Sequence, residues 1–65
     1  MLPHQQRVVD EKRDLDQKIL SLMRFMTTKT FEGLDNGEQS RLRIQFSAMQ
    51  TYGTALGERI AHFTD

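Results

Sequence analysis

Two apolar stripes run along this chain, one on either side of a break. In the first half Val8, Lys12, Leu15, Ile19, Leu22 and Met26 follow one another at spacings of 4, 3, 4, 3 and 4, with Lys12 the one charged member. That alternation lines up side chains on one face of an α-helix. The second half repeats it with Leu42, Phe46, Met49, Gly53, Leu56, Ile60 and Phe63. Between them, Thr27 to Gly37 concentrates β-branched, turn and capping residues, which interrupt a helix.

The end signals agree with this division. Pro3 suits a first helical turn, where its missing N–H is not needed. Asp35 followed by Glu38 has the form of a capping box, in which the first side chain accepts from exposed amides and the second reaches back. The pattern therefore predicts helix one over about 3–28, a turn over about 29–35 and helix two over about 36–63. Each helix would be roughly 25 residues, or ~38 Å long.

A short connection folds two such helices back as an antiparallel hairpin. With the turn centred near residue 32, the seams mesh as Leu22 with Leu42, Ile19 with Phe46, Leu15 with Met49 and Val8 with Leu56, leaving Lys12 opposite Gly53. Val9, Leu20, Met23, Phe25, Ile44, Tyr52 and Ala55 lie off this seam or at its margin and need another surface to cover them. The expected fold is therefore all-α: residues 1–65 as a single hairpin domain that assembles into a homo-oligomeric helical bundle.

Composition strengthens the case for assembly. A chain of 65 residues buries only about 60% of the surface its unfolded form exposes, so small domains lean on disulfides, metals or self-association. There is no Cys, and two His without thiolates do not make the usual closed zinc site. No cofactor is expected. Nine Lys and Arg balance nine Asp and Glu, which removes the basic surplus that binding to long nucleic acid requires. No apolar run approaches the roughly 20 residues of a membrane span, and the opening Met-Leu-Pro-His-Gln-Gln lacks the form of a signal peptide.

The chemistry the chain offers is that of binding. No Ser or Cys has a recognisable base partner, and no Gly-rich loop follows a strand, so an enzyme is not expected. Gly53 and Gly57, followed by Ala61, put small residues along one face of helix two, although each Gly costs about 1 kcal/mol against Ala in a helix. Two returns are open: close packing that leaves room for the Lys12 stem, or a cavity where Lys12 meets an anion. His4, Arg7, Arg59, His62 and Phe63 would meet at the open end of the hairpin. Arg offers bidentate donors to phosphate, and His or Phe can stack on a base. Solvated i,i+4 pairs such as Lys12 with Asp16 account equally for much of helix one.

His4-Gln5-Gln6-Arg7-Val8-Val9-Asp10-Glu11-Lys12, the Leu15 to Leu22 repeat, and Gln45 to Met49 through Tyr52, Leu56, Arg59-Ile60-Ala61 and Phe63 resemble a family of small tailed-phage proteins. That family shares the helical hairpin of the phage anti-CBASS and anti-Thoeris sponges. The resemblance implies a homo-oligomer, a hexamer in the better-known branches, that sequesters cyclic oligonucleotides or cyclic ADP-ribose isomers in the host cytoplasm without cleaving them. It singles out Arg59, which matches an Arg of the family's C-terminal helix, and adds weight to Lys12 and Arg7. Together with His4, Gly53, Gly57 and Phe63 these form the candidate ligand set. The other reading is a helical adaptor or structural phage protein that meets a protein partner.

Overall fold

The structure, a computed structural model, describes residues 1–64; the expected domain runs on to Asp65, which lies outside the described residues. Its elements are α1 (Pro3–Phe25), α2 (Lys29–Glu32) and α3 (Asn36–Ala61), all helical. Pro3 opens α1, and the buried Gln5 side chain accepts from the Leu2 N–H at 2.9 Å. The other end of the same amide donates to the Thr64 carbonyl at 3.3 Å. One polar side chain thus satisfies a free helix-end amide and ties the start of α1 to the far end of the chain.

Helix one is shorter than its periodicity suggests, ending at Phe25 instead of near Thr28. The Thr27 and Thr28 hydroxyls donate to the carbonyls of Arg24 and Phe25 at 2.7 and 2.6 Å, and side-chain bonds of this kind compete with continuation of the helix. Thr28 then caps α2, accepting from the Phe31 N–H at 3.2 Å. The connection is accordingly a short helix within the expected turn. Asp35 caps α3 by accepting from the Glu38 N–H at 2.7 Å, while the Glu38 carboxylate pairs with Arg41 at 2.9 Å. At the other end α3 stops at Ala61, two residues before the expected Phe63.

This connection packs against the beginning of α3. The Gln39 amide nitrogen lies 3.0–3.1 Å from the carbonyl oxygens of Phe31, Glu32 and Leu34, and the Arg43 guanidinium stands 5.4 Å above the Phe31 ring. Phe31 is buried and meets Phe25 edge-on, with centroids 6.1 Å apart. The first two turns of α3 are therefore engaged with α2, and α1 meets α3 further along.

That displacement corrects the expected register. Lys12 lies against Gly57 and not Gly53, whose neighbours across the seam are Leu15 and Ile19. The shift is four residues, one helical turn. Because Gln5 reaches Thr64 while Leu15 reaches Gly53, α1 and α3 run in opposite directions. Val8, Leu15 and Leu56 form the buried core between them, joined by the half-buried Ile19, Met49, Ile60 and Phe63. The molecule measures 49 × 15 × 13 Å, so much of its apolar surface stays open. Leu20, Met23, Ile44 and Tyr52 are 39%, 46%, 68% and 44% exposed. Of the other off-seam residues, Phe25 is half-buried on Phe31 and Val9 is half-buried.

Candidate functional site

The 4-and-3 spacing that builds the core also sets what flanks it. Lys12 sits at the edge of the α1 seam, its stem directed across Gly57: a Cβ on that glycine would lie 3.3 Å from Lys12 Cε. The ammonium turns outward and donates to both carboxylate oxygens of Asp16, at 3.0 and 2.9 Å. Stem against apolar surface and charge towards water is the usual compromise for a lysine beside a core. Its side chain is 30% exposed and that of Asp16 54%, so the pair is accessible from outside.

Around this pair opens a groove of about 360 Å³ lined by Lys12, Asp16, Ile19, Gln50, Gly53, Thr54 and Gly57. The space beside both glycines is taken by α1 side chains, Ile19 and Leu15 at Gly53 and the Lys12 stem at Gly57, and Ile19 gives the groove an apolar wall. Its polar groups are complementary in kind: Lys12 donates, Asp16 accepts, and the Gln50 amide does both. Lys12 and Asp16 are the charged residues of its lining and offset each other there.

Two further grooves flank α1. An apolar one of about 410 Å³ is lined by Val9, Lys12, Arg13, Asp16, Gln17, Leu20 and Ile60, and shares Lys12 and Asp16 with the first. A charged one of about 490 Å³ holds Arg7 and Lys18 with Tyr52, but also Asp10, Glu11 and Asp14. Three carboxylates beside two cations make that groove a poor host for a phosphate on its own.

Lys12, Gly53 and Gly57 are thus brought together, whereas Arg7 lies in the charged groove. Arg59 and His4 are exposed and line none of the three grooves. Phe63 is half-buried and packs against the Val8, Leu15 and Leu56 cluster. His62 places Nδ1 2.8 Å from the Glu58 carbonyl oxygen at the end of α3. Asp16, Gln50 and Thr54 were not among the sequence candidates. The i,i+4 spacing of Lys12 and Asp16 marked the first, and Gln50 and Thr54 flank Gly53 on α3, with no signal in the sequence to tie them to Lys12.

Among the described residues no group of His, Asp or Glu is placed to hold a metal ion, and no helix is long and apolar enough to cross a membrane. The Sequestin family model matches residues 2–62. This chain belongs to the Sequestin family. Sequestins are phage anti-CBASS and anti-Thoeris sponge proteins. A relative from Enterobacteria phage T4, described as an uncharacterized 7.5 kDa protein in the denB-rIIB intergenic region, is 38% identical over 63 residues, covering 97% of this chain and 98% of its own length. No solved structure gives a significant match.

Proposed function

We propose that this sequestin binds a cyclic nucleotide immune signal, a cyclic oligonucleotide or a cyclic ADP-ribose isomer, and holds it uncleaved in the host cytoplasm as a homo-oligomer, a hexamer by analogy with the better-known sponges. The observation that carries the reading is the family match over residues 2–62. The Lys12 groove supports it with an apolar wall and mixed donors and acceptors. A sponge needs no chemistry beyond this: signal held in the groove is withdrawn from the downstream effector by mass action. Zero formal net charge is compatible with the task, because a small ligand requires only a few convergent groups. Arg59 and Arg7, both exposed, enter the reading as hydrogen-bond donors to phosphate, supplied where copies meet.

Isothermal titration against cyclic di- and trinucleotides and cyclic ADP-ribose isomers tests the proposal, with the bound compound recovered after denaturation and identified by mass. Binding and intact recovery are expected. A folded oligomer that binds none of the panel refutes it, and recovery of a cleaved product refutes sequestration without hydrolysis. A second reading, an adaptor that meets a protein partner, is favoured by one observation, the exposure of Leu20, Met23, Ile44 and Tyr52. Titration without heat by a folded protein would favour it.

A further inference from the structure

The two flanks of α1 differ in a way that selects one of them as a contact between copies. Along the apolar groove Val9, Arg13, Asp16 and Leu20 succeed one another at spacings of 4, 3 and 4. The pattern is symmetric about its centre: an apolar residue, a charge, the opposite charge, an apolar residue. A twofold axis perpendicular to α1, passing beside it at the level midway between Arg13 and Asp16, relates Val9 to Leu20 and Arg13 to Asp16 of a second copy. Two copies laid antiparallel about that axis place each Arg13 against Asp16 of the second copy, and each Val9 against Leu20 of the second copy. This is the self-complementarity that an isologous interface requires.

The other flank is symmetric too, but with the wrong signs. In the charged groove Arg7, Glu11, Asp14 and Lys18 also follow at 4, 3 and 4. The corresponding twofold axis would bring Arg7 against Lys18 of the second copy and Glu11 against Asp14 of the second copy, cation on cation and acid on acid. Like charges across an interface suppress it. The two faces of one helix are thus one fit and one unfit to meet a second copy in the same geometry.

We propose that the Val9, Arg13, Asp16 and Leu20 face of α1 is a twofold interface between copies of this chain. Leu20, 39% exposed in the single chain, is covered there beside Val9 and Ile60 of the second copy. Arg13 is free to exchange partners, since its contact with Asp10 is 3.5 Å long between side chains that are 63% and 52% exposed, a pair worth little at the surface. The interface rests on the homo-oligomeric part of the proposed function, and the test below reads mass without ligand, so a failure to bind nucleotide leaves it standing.

Sedimentation equilibrium on the full chain is the test, with circular dichroism confirming helicity. Arg13→Asp and Asp16→Arg each create two like-charge contacts across the axis, and the double variant Arg13→Asp/Asp16→Arg restores opposite charges in swapped positions. Each single variant is expected to lower the assembly mass, with dissociation constants raised roughly tenfold or more, and the double variant to regain it. Leu20→Glu, at an exposed position that does not support the fold of the single chain, should also lower the mass. A monomeric wild type, single variants of unchanged mass, or a double variant no better than the singles would each overturn the interface.

Discussion

Replacing Gly53 by Ala should stabilise this protein, which runs against the intuition that a buried glycine between two helices is there because nothing larger fits. Gly53 is buried in the middle of α3. A Cβ at this position would lie 3.5 Å from Ile19 Cδ1 and 3.8 Å from Leu15 Cδ2, ordinary van der Waals separations that call for no backbone movement. The substitution removes the helix-interior penalty of glycine, about 1 kcal/mol, largely by restricting the unfolded chain. For a domain of this size that corresponds to a rise in Tm of roughly 4–8 °C. Thermal unfolding followed by circular dichroism reads it directly, at one fixed protein concentration. Gly57→Ala is the internal comparison: its Cβ would sit 3.3 Å from Lys12 Cε, so the lysine stem must give way and the gain should be smaller. A lowered Tm for Gly53→Ala would refute the reasoning, since it would mean that α1 and α3 approach more closely at Leu15 and Ile19 than these contacts allow.

Gln39→Ala removes the amide whose two N–H groups are shared among three carbonyls of the connection and should cost about 1–2 kcal/mol in a urea titration; an unchanged midpoint would show that water replaces those bonds without loss. Asp35→Ala, which deletes the cap of α3, should cost about 1 kcal/mol, and Asp35→Asn should recover most of it. Lys12→Ala and Arg59→Ala should weaken nucleotide binding in calorimetry while leaving the sedimentation mass unchanged. A variant of either that dissociates the assembly would instead assign that residue to subunit contact.

The all-helical character of the chain was legible because one signal, the alternation of 4 and 3, recurs through Val8 to Met26 and again through Leu42 to Phe63. Capping by Asp35 was legible for the same reason that it works: the donor and acceptor lie three residues apart. The register differs by four residues from that of a bare turn over about 29–35 because the connection packs against α3. Nothing local to that segment announces that Phe31 will be buried under Arg43 and beside Phe25, or that Gln39 will gather three carbonyls. Those contacts decide how far along α3 the first helix begins to pack.

The candidate site divides in the same way. The sequence by itself determined that Lys12 would stand on an apolar seam near small residues, since periodicity assigns a helical face to every position. Only the tertiary structure decided that its stem crosses Gly57, that Gln50 and Thr54 join the groove, and that Phe63 is drawn against the core while Arg59 stays exposed. The physical reason is that a helical repeat specifies angle around an axis but not the axial offset between two helices. That offset is set by the packing of the segment that joins them.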